Sequence, residues 1–140
     1  MPNAYDELYA YALTRGRDPF VLQYVSDAFA AQSATPASKP IKLTFALVGL
    51  CLHVEHGYSG VEVQRVHMQL ARRKREWPTF ALPSDRGAMT RDDVLAVPPG
   101  DARDAAISQW CRTVWEAFEE SHRAIAALLS EHRILESGTR

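Results

Sequence analysis

A chain of 140 residues with 16 Lys+Arg against 17 Asp+Glu has a formal net charge of −1, so it is long enough to bury a core and too balanced to bind a polyanion over its whole surface. Hydrophobic residues make up 46% and charged residues 24%, the balance of a globular domain and not of a disordered or membrane-embedded chain. Cys51 and Cys111 lie in apolar helical patterns without metal-motif spacing and read as buried free thiols; with no signal peptide or transmembrane run in view, the expected location is the cytoplasm.

The first predicted helix runs from Tyr5 to Thr14, with Tyr5, Leu8, Tyr9, Ala12 and Leu13 on one side. Asp6 and Glu7 suit its positive end, and Arg15-Gly16 ends it. Asp18-Pro19 opens a second helix with a cap and a first-turn proline, and this helix runs to about Gln32. Phe20, Val21, Tyr24, Val25, Ala28 and Ala31 form its apolar face. Asp27 sits at the edge of that face, where a carboxylate is expected to be a solvated rim residue or an ion-pair partner.

After a turn-rich loop from Ser33 to Lys39, the most apolar stretch of the chain runs from Pro40 to Gly57. Pro40 suits the first helical position, Ser38 is placed to cap, and Gly57 suits a left-handed stop. Apolar residues cover most of the circumference, as in a buried helix. A membrane span needs ~20 predominantly apolar residues, and this run is shorter and carries Lys42, His53, Glu55 and His56. Lys42, Ala46, Gly49, His53 and His56 recur at three- and four-residue steps and so share one side. That seam is expected to be the strip facing water; the alternative is the wall of a pocket, with Gly49 admitting a ligand or a close neighbour. Glu55 falls on the opposite flank.

Ser59-Gly-Val-Glu62 is a capping box, opening a fourth helix from about Gly60 to Arg75 with Val63, Val66 and Leu70 as its stripe and His67 on the edge. The segment from Glu76 to Gly87 is irregular, since Pro78 and Pro83 forbid a regular helix, and Trp77, Phe80 and Leu82 are expected to tack it to the helices. Thr90 opens a short helix to about Ala96, and Pro98-Pro99-Gly100 breaks the chain. Asp101 to His132 reads as one continuous helix about 48 Å long, more than a small domain can cover. Its apolar stripe through Ile125, Leu128 and Leu129 therefore predicts a homodimer through the C-terminal helix; the alternative is a break near Ser121 that folds the end back and buries the same residues within one chain. Residues 136–140 are expected to fray.

Three constellations could carry chemistry. His53, His56, His67, Asp27 and, after them, His122 are potential metal ligands, but HVEHG has its histidines one residue too close for a zinc-protease helix, and no metal is assigned. Arg72, Arg73, Lys74 and Arg75 could contact phosphates, although cations at a helix C-terminus also stabilise the dipole without a ligand. No nucleophile elbow or phosphate-binding glycine loop is present.

The segments ELYAYAL, QYVSDAFAAQ, LCLHVEHGYSG, VEVQRVHMQLARRKREWP, RGAMTRDDVLAVPPG and WCRTVWEAF together resemble a bacterial family of uncharacterised proteins, domain of unknown function 5946. The resemblance spans about Leu8 to Phe118. It implies an α-helical cytoplasmic domain with no established activity. It also implies departures here: relatives often carry an N-terminal Cys pair, absent from this chain, and place histidines where it has Leu22 and Ser33.

The expected architecture is one all-α domain over residues 1–140, a helical bundle with a proline-rich crossover and a long closing helix. The expected function is a non-catalytic binding or interaction module, with Lys42, Gly49, His53, His56, Asp27 and His67 as its candidate pocket and its ligand unassigned. The alternatives are a small metal-dependent enzyme around His53, His67 and Asp27, and a nucleic-acid-associated protein using Arg72 to Arg75.

Overall fold

The computed structural model describes residues 3–15, 21–73 and 76–135. Among them the regular structure is helical throughout: α1 (Ala4–Thr14), α2 (Val21–Gln32), α3 (Pro40–His56), α4 (Gly60–Arg73), α5 (Arg91–Leu95), α6 (Asp101–Ala117) and α7 (His122–Glu131), with a 3₁₀ turn at Glu119–Ser121 between the last two. No described helix is long and apolar enough to cross a membrane.

Local signals set most boundaries. Asn3 caps α1 by accepting from the Asp6 amide at 2.8 Å, with Asp6 and Glu7 in the first turn. The Ser59/Glu62 box is reciprocal: Ser59 N donates to Glu62 Oε1 at 2.8 Å and Glu62 N to Ser59 Oγ at 3.2 Å. Pro40 takes the first position of α3, and Gly57 ends it at φ +69°, a left-handed conformation that glycine adopts without a Cβ penalty. Ser38 does not cap α3. Its hydroxyl accepts from the Thr35 amide within the preceding turn, and Lys39 holds the cap position without a side-chain bond. The expected start of α2 at Asp18-Pro19, the stop at Gly16, the last residues of α4 and the tail 136–140 lie outside the described residues.

α2 and α3 pack against each other at the centre, and α6 lies across both. Leu47 and Leu50 are buried there as expected, while Val54 is half-buried. Trp110 and Trp115 are core residues, and Trp110 Nε1 donates to Gln32 Oε1 at 3.0 Å. Gln32 in turn donates to the carbonyls of Arg86 and Met89. Arg86 returns the contact, donating to the Ala31 and Gln32 carbonyls at 3.2 Å each, so the open C-terminal end of α2 is closed by a cation from the irregular 76–89 segment.

The single long C-terminal helix does not form. Helicity stops at Phe118, whose backbone sits at φ −95° and ψ 32° and whose ring is in the core. His122 stacks on Trp115 at 3.8 Å and its Nε2 donates to the Trp115 carbonyl at 2.8 Å, satisfying an acceptor that the end of α6 leaves open. α7 then folds back on α3 and buries Ile125, Leu128 and Leu129 within the chain. The projecting apolar end that called for a partner subunit is therefore absent.

Candidate functional site

The seam of α3 faces α2 and not water. Ala46 and Gly49 are buried, His53 and His56 are half-buried, and Lys42 is exposed. Opposite Gly49 stands Asp27 of α2. A Cβ built on Gly49 would lie 2.6 Å from Asp27 Cγ and closer still to Oδ2, nearer than real Cβ atoms approach. Gly49 thus admits a neighbour, and the neighbour is a carboxyl group.

Asp27 is 5% exposed, against the expectation of a solvated rim residue. Gln23, one turn earlier on α2, donates to Oδ1 at 3.0 Å; among the described residues Oδ2 receives no hydrogen bond. Burial pushes the Asp27 carboxyl well above the usual carboxylate range, and the Gln23 bond only partly opposes it. Burial thus favours the neutral acid, which can donate as well as accept.

Asp27 lines an open groove of about 510 Å³. α1 and α2 supply Tyr5, Gln23, Ser26 and Phe29; α3 and α4 supply Lys42, Phe45, Ala46 and His67. The Tyr5 and Phe29 rings meet at 4.2 Å, and Phe45 is fixed between His67, stacked at 4.7 Å, and the edge of Trp77 at 5.1 Å. His67 Nε2 lies 2.7 Å from the Phe45 carbonyl, an acceptor only, so that nitrogen carries the hydrogen. Burial lowers the His67 pKa despite this bond, favouring the neutral ring.

Of the residues expected to form one site, Asp27, Lys42 and His67 share this groove, with Gly49 behind the carboxyl. His53 does not join them. Its ring stacks on Tyr24 at 3.6 Å, its Nδ1 lies 3.4 Å from the Tyr58 carbonyl, and burial lowers its pKa against that bond. His56 sits at the end of α3 beside Cys51 and Glu55. The expected His53–His67–Asp27 ligand set is therefore not gathered at one point: among the described residues the metal-ligand grouping is Cys51, Glu55 and His56. In the basic run Arg72 is exposed, Arg73 donates to the His132 carbonyl at the end of α7 at 2.8 Å, and Lys74 and Arg75 lie outside the described residues.

Gln23, Tyr5, Phe29 and Phe45 went unread as groove residues. Gln23 and Asp27 are four apart on one helix face, a polar pair that could have flagged a buried carboxyl. The aromatic rings carry no such signal, because they look like core in a sequence.

No curated protein and no solved structure matches the chain. A sequence model for one family matches residues 3–119 and so takes in α1 to α6, Asp27 and the groove, and on that match the chain belongs to the family of unknown function DUF5946.

Proposed function

We propose that the chain is a non-catalytic small-molecule-binding domain of the cytoplasm, with the groove between α1, α2, α3 and α4 as its ligand site. The observation that carries this reading is Asp27: a carboxyl 5% exposed, given room by a glycine, with Oδ2 free of hydrogen bonds from the described residues, at the wall of a groove of about 510 Å³. Ligand pockets span roughly 300–1,000 Å³ and combine apolar lining with few polar groups. A hydrogen bond between a ligand and the Asp27 carboxyl would contribute about 0.5–1.5 kcal/mol. The chemistry fits a compact apolar or aromatic body against Tyr5, Phe29 and Phe45, with an acceptor facing the Asp27 acid and an anionic group toward exposed Lys42. Buried free Cys51 and Cys111 suit a reducing compartment.

The same carboxyl favours one second reading. A carboxyl whose pKa burial raises suits general-acid catalysis, with His67 in the same groove as the base. His67 is tied to the Phe45 carbonyl, which counts for a fixed wall over a proton carrier.

The test is a fragment screen by two-dimensional NMR. Hits should perturb Ala30, Ile41 and Ala46, which also line the groove, should bind at least tenfold more weakly to Ala30→Trp, which fills it, and should weaken in Asp27→Ala, which removes the donor. Hits that map elsewhere and tolerate Ala30→Trp would overturn the reading. Turnover of a bound hit that Asp27→Asn abolishes would move the conclusion to the general acid.

A further inference from the structure

The C-terminal end of α3 carries a second cluster. Cys51 Sγ, a Glu55 carboxylate oxygen and a His56 ring nitrogen all lie within 4.8 Å of one another. Cys51 is buried, His56 half-buried and Glu55 exposed, so the cluster runs from the core to the surface at the C-terminal end of the helix.

The break between α6 and α7 brings more chemistry to the same place. Trp115 Nε1 donates to Glu55 Oε2 at 2.5 Å, and His122 Nδ1 stands 4.0 Å from that oxygen. The tautomer of His122 follows from its other nitrogen. Nε2 faces the Trp115 carbonyl at 2.8 Å, and a carbonyl can only accept, so Nε2 carries a hydrogen. In the neutral imidazole Nδ1 is then a bare lone pair facing a carboxylate oxygen. Nothing favours that arrangement until a proton or a cation stands between them.

The donor types select between the two. Thiolate, imidazole and carboxylate together are the ligands of zinc and its borderline neighbours. Metal-bound side chains are held by outer contacts, an N–H on a ligating carboxylate or a carbonyl on the far nitrogen of a ligating histidine. Trp115 supplies both, its indole to Glu55 and its carbonyl to His122. We propose that Cys51, Glu55 and His56 bind a divalent zinc-like ion at the end of α3, with His122 Nδ1 as the fourth donor. Donors around zinc stand ~2.0–2.3 Å from the ion, so side-chain rotation has to draw Cys51, Glu55 and His56 together by about an ångström, and His122, outside that group, has to swing further. Binding replaces the sulfur–hydrogen bond of Cys51 with a sulfur–metal bond and releases one proton to solvent. No electrons change hands. The site lies apart from the Asp27 groove, and neither reading requires the other.

The experiment uses the full chain, stripped with a chelator and titrated with Co²⁺. One equivalent should produce the near-ultraviolet sulfur-to-cobalt charge-transfer band and release one proton. Cys51→Ser should lose the band, and Cys111→Ser should keep it. Zn²⁺ should raise the thermal midpoint of the wild type, and its affinity should fall at least tenfold in Glu55→Gln, in His56→Ala and in His122→Phe. These last variants alter partly exposed side chains, so the test stands even where Cys51→Ser does not fold. No band, a band that survives Cys51→Ser, or a midpoint indifferent to Zn²⁺ would overturn the proposal. Full affinity in His122→Phe would overturn the fourth donor.

Discussion

Asp27 concentrates the chemistry of the fold in one residue. An unfolded aspartate ionises near pH 3.9, about its unperturbed pKa, whereas burial raises the folded value well above it. Between those two values the folded chain holds a proton that the unfolded chain has lost. The contribution of Asp27 is therefore complete below about pH 3.9 and is lost as pH rises toward the folded pKa. His67 runs the other way: burial lowers its pKa, so its contribution is present above about pH 6.5 and is lost as pH falls through the folded value. Asp27→Asn isolates the first effect, because asparagine copies the neutral acid and keeps an oxygen for Gln23. In urea titrations from about pH 5 to about pH 8, wild-type stability should fall steadily relative to the variant, with His67 cancelling in the difference. Curves that stay parallel would mean that Asp27 is ionised in the fold, and the donor role assigned to it in the groove would go with it.

At the scale of the element, the α2–α3 contact is a lock between a carboxyl group and the absence of a side chain. Gly49→Ala places a methyl group within 2.6 Å of Asp27 Cγ, so one of the helices has to shift. Overpacking of this kind costs about 1–3 kcal/mol. The cost should largely vanish in an Asp27→Ala background, where the methyl group fills the space the carboxyl leaves, and a double-mutant cycle by denaturant unfolding measures it. An equal cost in both backgrounds would place the strain elsewhere than Asp27. The same pair shows what a sequence can disclose. Helical periodicity correctly gathered Lys42, Ala46, Gly49 and His53 on one side of α3, but it is silent about what stands opposite, so the seam read as a strip facing water. The ends of α3 and α4 were legible because Pro40, Gly57 and the Ser59/Glu62 box act within a few residues. Ser38 failed as a cap because the Thr35 turn had already engaged its hydroxyl. Asp27 and His67 both stand out in the sequence, yet their convergence on one groove depends on how α2 and α4 pack on α3, which no local pattern encodes.

At the scale of the molecule, the break at Phe118 decides whether the chain closes on itself. A helix from Asp101 to His132 satisfies every local preference, and Glu119-Glu120-Ser121 contains no Gly or Pro to end it. Tertiary structure overrides that preference. Phe118 enters the core, His122 takes up the Trp115 carbonyl, and folding α7 back against α3 covers Ile125, Leu128 and Leu129. Among the described residues the large apolar side chains left most exposed are Tyr9, Leu13 and Met68, on α1 and α4 and not on α7. Leu129 is therefore buried within the chain itself. Leu129→Ala should lower the unfolding free energy by about 2–5 kcal/mol, the cost of a cavity at a fully buried leucine. The loss should be the same at every protein concentration, because unfolding of one chain is unimolecular whereas a dimer gains stability by mass action. Urea titrations of wild type and variant over a hundredfold range of concentration, paired with sedimentation, measure both quantities. A wild-type midpoint that climbs with concentration, and a variant that sediments as a smaller species, would restore the dimer through the C-terminal helix and mean that α7 leaves α3 to make it.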